Sequence, residues 1–180
     1  MNKNELFESI SQYFTQNDLI VEKDKQFESP EFTADLFAVK LGTRMAKGRN
    51  DYYFIQDADK QECSSIEKKE EIHQAARTWA NNQYAMPKFL RLKIPNIASI
   101  FVSEKGFDEE TIIWAKKNRR TMIGGEYHCV YVMDLSTNTL SGPGVSSFRF
   151  GASRQKITFK RIDPQNRILR FLSAFWTSLK

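Results

Sequence analysis

The chain has little of what most reaction chemistry needs. It holds 2 histidines and 2 cysteines in 180 residues. Two thiols, Cys63 and Cys129, exclude a disulfide framework and a four-thiolate zinc site, and they read as reduced, partly buried side chains. His73 lies on a helical segment with no second histidine four residues on, so a two-histidine zinc motif is absent. His128 and Cys129 are strand neighbours that point to opposite faces. A Cys–His dyad would have to be assembled across the fold; the plainer reading puts His73 on a helix surface and His128 in a strand. Glycine is also scarce, at 8 residues. Gly42 to Gly48 has the wrong spacing for a phosphate-binding GxxxxGK loop, and no Lys-Ser/Thr follows. Gly142-Pro143-Gly144 puts a proline where a GxGxxG turn needs free donors, so it is a turn only. There is no Gly-x-Ser-x-Gly elbow. No apolar run is long enough for a membrane span, and MNKNELFESI has no signal pattern. A soluble, cytoplasmic protein away from membranes is expected.

What is present is a core and a charge asymmetry. Apolar residues make up 41%, with 14 Phe and 3 Trp, enough for one folded domain over residues 1–180. Net charge is +5. Residues 1–143 hold 19 Lys+Arg against 21 Asp+Glu, whereas residues 144–180 hold 8 Lys+Arg against one acid, Asp163. A basic end on a near-neutral body points to an anionic partner, or to a strand edge kept soluble by cations.

Along the chain, Leu6, Ile10, Tyr13 and Phe14 give a helix over residues 2–15. A strand begins at Leu19 to Val21. Phe32 to Leu41 alternates, with Phe32, Ala34, Leu36 and Ala38 on one face. A basic loop, Thr43 to Asn50, leads into a short strand, Tyr52 to Ile55. Ser64 with Glu67 suggests a capping box, opening a helix with a core stripe of Ile72, Ala75, Ala76, Trp79 and Ala80. A strand is expected at Ile97 to Val102. Asp108 caps a helix stapled by Phe107 and Ile112 and running to about Arg120. Glu126 to Leu135 is a strand apolar on both faces. Strands at Val145 to Phe150 and Gln155 to Ile162 and a closing helix complete the order. Strands alternating with helices give an α/β (α+β) domain, a mixed sheet covered on both faces.

The carboxylates carry the chemistry. Asp35 sits inside an apolar strand, a costly place for an unpaired charge; it is a metal ligand or the partner of a buried cation. Asp57 and Asp59 follow the next strand. Carboxylates at neighbouring strand ends, with a lysine nearby, are what divalent-metal phosphodiester chemistry requires.

Helix, three strands, helix, strand resembles the core order of the restriction-endonuclease-like, or PD-(D/E)XK, nuclease fold. Thr33-Ala34-Asp35-Leu36-Phe37 is similar to that family's second core strand with its Asp. Phe54-Ile55-Gln56-Asp57-Ala58 lies where its acid-x-Lys strand belongs, but Ala58 stands in place of the lysine. The resemblance covers residues 2–103. It implies Asp35 and Asp57 as ligands of Mg²⁺, Gln56 and Lys60 as catalytic residues, and Glu5 or Glu8 as the helix acid. Lys60 serves if the strand extends that far; Lys40 falls on the opposite face from Asp35. An incomplete motif implies a degenerate or weak site.

The cations supply the partner. Arg44, Lys47 and Arg49 in the loop, and Arg149, Arg154, Lys156, Lys160 and Arg161 interleaved with Phe148, Phe150 and Phe159, suit a nucleic-acid backbone. Two functions remain in view: a nucleic-acid-associated protein of nuclease-like fold, or a non-enzymatic module that meets a protein or a second copy through its basic edge.

Overall fold

A computed structural model describes residues 2–42, 49–85, 87, 91, 94–120, 125–143, 148–149 and 174. Its first helix, α1, spans Lys3–Gln16 and is fixed by a capping box: Asn2 Oδ1 accepts from Glu5 N at 2.8 Å, and Glu5 Oε2 accepts from Asn2 N at 2.9 Å. Leu6, Ile10 and Phe14 form its buried stripe. The chain then turns through Asp18, at φ 62.

Three antiparallel strands follow, β1 (Ile20–Glu28), β2 (Glu31–Lys40) and β3 (Arg49–Asp57). A short 3-10 turn, Gln61–Cys63, leads to α2 (Ile66–Asn82), and β4 (Ile94–Ser103) returns parallel to β3. Helix α3 (Glu109–Lys117) and a two-residue strand β5 (Arg119–Arg120) precede β6 (Tyr127–Asp134), which is parallel to β4. The strands β7 (Thr139–Ser141) and β8 (Phe148–Arg149) close the described part. The sheet order is β1-β2-β3-β4-β6-β7-β8, with β5 paired to β6. Helix α1 packs with Leu36, Ala38, Tyr53, Ile55, Ile100 and Tyr131. Helices α2 and α3 pack with residues of alternate parity, among them Phe37, Phe54, Ile97, Phe101 and Val132. The mixed α+β sheet covered on both faces is therefore as the sequence predicts.

The differences are local and have causes. The pleat of β2 changes at Asp35: Leu36 and Ala38 lie on the α1 side, but Ala34 and Phe32 pack with Phe37 on the α2 side. The same irregularity shows in β1, where Asp24 has φ 47 and the Asp24–Asp35 pair drops out of the register. Strand β3 is longer than expected, because its polar ends Asn50, Asp51, Gln56 and Asp57 keep the ladder. Strand β4 includes Pro95. Helix α2 is capped by Ser65 rather than Ser64, its hydroxyl accepting from Lys68 N. Its buried stripe is Lys69, His73, Ala76 and Ala80, so Ile72, Ala75 and Trp79 flank it half-buried. Helix α3 stops at Lys117, and Arg119–Arg120 pair with β6 instead of extending it. The strand expected at Gln155 to Ile162 and the closing helix lie outside the described residues, apart from residue 174.

Candidate functional site

The end of β3 brings the expected carboxylates together, but not around an open centre. Asp35 Oδ2 accepts from the backbone N–H of Asp57 at 2.6 Å, and Asp35 Oδ1 is paired with the ammonium of Lys60. The strand ends at Asp57, so Lys60 reaches Asp35 from the turn after it rather than from an extended strand. Both oxygens of Asp57 lie 2.7 Å from Lys3 Nζ, and Asp57 Oδ1 also accepts from Asp59 N at 2.9 Å. Asp59 Oδ2 accepts from Lys3 Nζ at 3.3 Å and from Glu104 N at 2.9 Å, while its Oδ1 accepts from Ser103 Oγ at 2.6 Å. Glu104 Oε1 accepts from Lys3 N at 2.8 Å. One cluster thus ties the start of α1 to the ends of β3 and β4.

Its charges hold one another. The Asp35 hydrogen bond raises the Lys60 pKa against the opposing effect of burial. Burial works against the Lys3 ammonium, yet the hydrogen bonds and charges of Asp57 and Asp59 outweigh it and leave its pKa raised. Burial likewise pushes the Asp59 carboxyl up, but the donors Ser103, Glu104 N and Lys3 bring it below its ordinary range.

The arrangement does not fit Mg²⁺ as the sequence implies. Magnesium needs an octahedral set of oxygens at about 2.0–2.1 Å. The oxygens of Asp35 are committed to a backbone N–H and an ammonium, and those of Asp57 to an ammonium and another N–H. The two residues meet through the Asp57 backbone N–H rather than carboxylate to carboxylate. Among the described residues no group of three or more His, Cys, Asp or Glu could hold a metal ion. Lys3 and Lys60 supply the positive charge that a divalent ion would bring.

Lys3 is the member that sequence reasoning missed. Its signal was a lysine in the first turn of a helix, where the macrodipole disfavours a cation; such a residue calls for a carboxylate partner. Glu5 and Glu8, by contrast, are used elsewhere, Glu5 in the capping box and Glu8 in an ion pair with Lys23. Gln56 donates its amide to Thr33 O at 2.8 Å, and Lys40 donates to Asn17 O at 2.8 Å, so neither amide nor ammonium joins the carboxylates.

Of the proposed nucleic-acid contacts, the two that are described, Arg49 and Arg149, stand in the sheet apart from this cluster. Arg49 begins β3 and Asp57 ends it; eight residue rises put them about 26 Å apart along the strand. Arg44 and Lys47, in the loop before Arg49, lie outside the described residues. Arg149 is in β8, four strands from β3 in sheet order, or about 19 Å across the sheet. Arg154, Lys156, Lys160 and Arg161 also lie outside the described residues.

A second polar group, unforeseen from the sequence, lies under α2. His73 is not on the helix surface: it is fully buried, with Nδ1 2.8 Å from Ser99 Oγ and Nε2 3.0 Å from His128 Nδ1. Burial, and then His128 and Arg77, push its imidazole well below the ordinary histidine value. One turn before it, Lys69 is buried too, donating to Cys63 O at 2.6 Å. Burial lowers its pKa, and raises that of the Cys63 thiol to about 11. Neither cysteine forms a disulfide and both are buried; the raised Cys63 pKa makes a nucleophilic thiolate unfavourable there.

None of the described helices is long and apolar enough to cross a membrane. No family model, no curated protein and no solved structure matches this chain.

Proposed function

We propose that the chain is a nucleic-acid-associated protein on a nuclease-like α/β scaffold whose carboxylate site is degenerate. The observation that carries this reading is the pairing of Lys3 with Asp57 and Asp59, and of Lys60 with Asp35. Three features support the nuclease-like scaffold. The element order α1-β1-β2-β3-α2-β4 is that of the family resemblance. The first three strands form an antiparallel meander with β4 parallel to β3. The carboxylates gather at the β2–β3 ends. Where a hydrolase would bind Mg²⁺ and let a carboxylate-held ion activate water, these carboxylates are bound by tethered ammonium groups, so hydrolysis is absent or weak.

Binding is separate from that cluster. Asp35, Asp57 and Asp59 outnumber Lys3 and Lys60 there, and an acidic field repels phosphate. The basic residues 144–180 are where a phosphate backbone is expected. The same asymmetry supports a second reading, a dock for an acidic protein or a second copy of the chain.

The test is a cleavage assay on single- and double-stranded DNA and RNA with Mg²⁺ or Mn²⁺, alongside melting curves with and without the metal. We expect no cleavage by the wild type and no metal-dependent rise in its melting temperature. Metal-dependent cleavage that disappears in Asp35→Asn would overturn the degenerate-site reading.

A further inference from the structure

We propose that His73 and His128 form a pH-sensitive latch that holds α2 against β4 and β6 at neutral pH and releases it in mild acid. The chain has 2 histidines. They stand 55 residues apart in sequence, and each meets the other. Their ring centroids are 5.1 Å apart with the planes tilted by 46°. His73 is 0% exposed and His128 5% exposed. The inference concerns α2 and does not rest on the nature of the carboxylate site.

The latch follows from counting protons. With both rings neutral, one nitrogen of the Nε2···Nδ1 contact donates and the other accepts. The Ser99 hydroxyl completes His73 in either tautomer. An added proton on His73 still finds acceptors, but it places a full charge in a buried site. Among the described residues, the groups facing that charge do not offset it. From β4 comes the neutral Ser99, and from β6 the second imidazole. From α2 comes the Arg77 guanidinium, whose carboxylate partner Glu126 also accepts from Asn81. Glu70, on the same helix, accepts from Trp114 Nε1 and Asn118 Nδ2 at the α3 side. A second proton would set donor against donor across the 3.0 Å contact.

A buried imidazole whose folded pKa is depressed contributes stability that is complete above the unfolded value, near 6.5, and lost as pH falls below it. Opening α2 then takes up protons, and its opening constant rises roughly tenfold per pH unit for each proton taken up. Helix α1, with no histidine against it, has no such term in this range.

The experiment is amide hydrogen exchange on the full chain at about pH 7.5 and about pH 5.5, corrected for intrinsic rates. We expect α2 amides to lose roughly tenfold or more of their protection relative to α1 amides, and His73→Gln to abolish that difference. Equal loss in both helices, or the same pH response in wild type and His73→Gln, overturns the latch. Should His73→Gln fail to fold, the imidazole proton resonances of the wild type decide. Rings that stay neutral in the folded protein down to about pH 5.5 support the latch, and a ring that titrates near 6.5 while the protein stays folded overturns it.

Discussion

At the end of β3, five charged side chains from three parts of the chain meet: Lys3, Asp35, Asp57, Asp59 and Lys60. Farther across the same sheet, under α2, two imidazoles and a serine hydroxyl meet, with His73 between Ser99 and His128. The first group stays charged because each carboxylate has an ammonium or N–H donors, and the Lys60 side chain is still 50% exposed. In the second, complete burial pushes the His73 imidazole well below the ordinary histidine value. The difference shows how partners decide chemistry. Carboxylates only 9–12% exposed are met by tethered ammonium groups and N–H donors; the fully buried His73, met by a hydroxyl and a second imidazole, disfavours its charged form instead.

If that comparison holds, α2 is seated more by packing than by its Arg77–Glu126 ion pair, and its largest single loss should come from an aromatic side chain. Trp79 packs edge-on against Phe27, Phe37, Tyr52 and Phe54 at centroid distances of 4.8, 5.4, 6.0 and 6.0 Å. Trp79→Ala should destabilise by about 3 kcal/mol in urea unfolding; a cost below about 1 kcal/mol would mean that the aromatic cluster does not seat the helix.

The charged cluster should give less per residue. Asp57→Ala strips Lys3 and the Asp59 N–H of an acceptor that is only 11% exposed, and should cost about 2 kcal/mol. Lys60→Met removes a half-exposed partner and should cost less than about 1 kcal/mol. If the two substitutions proved equal, the cluster would not be graded by depth as described.

The two groups should also separate on a pH axis. The Asp59 carboxyl is held below its ordinary value of 3.8, so its contribution is complete above that range and fades as pH falls through it. His73 acts earlier, below about 6.5. The urea midpoint of the wild type should therefore fall in two stages. His73→Gln should remove the first stage, and Asp59→Asn should reduce the second. A single stage unaffected by His73→Gln would erase the distinction.

The sheet and its helical cover were legible because periodicity encodes them, and the need of Asp35 for a partner was legible too, whereas its pairing with Lys60 from the turn after β3 was not. The imidazole pair was not legible. On α2 the apolar residues Ile72, Ala75 and Trp79 suggest a stripe, but the true centre of the buried face carries Lys69 and His73, which one-dimensional hydropathy reads as solvent-facing. What buries them is the approach of Ser99 and His128 from strands far along the chain, and Lys69 turning back to the Cys63 carbonyl. The role of Lys3 was hidden for a similar reason: its partners lie 54 and 56 residues away. The pleat change at Asp35 depends on the left-handed Asp24 opposite it, which alternation alone does not reveal.

The central proposal is that a lysine-held scaffold with a degenerate or weak hydrolytic site binds nucleic acid through its basic 144–180 stretch. Titration of labelled single- and double-stranded oligonucleotides with the full chain, at low and moderate salt, tests it most directly. The account predicts binding with little sequence preference that weakens steeply with salt. A triple replacement of Arg154, Lys156 and Lys160 by Glu should abolish most of that binding and flatten its salt slope, while replacing Lys68, which is not buried, should leave the salt slope unchanged. No binding to either oligonucleotide at low salt would contradict it.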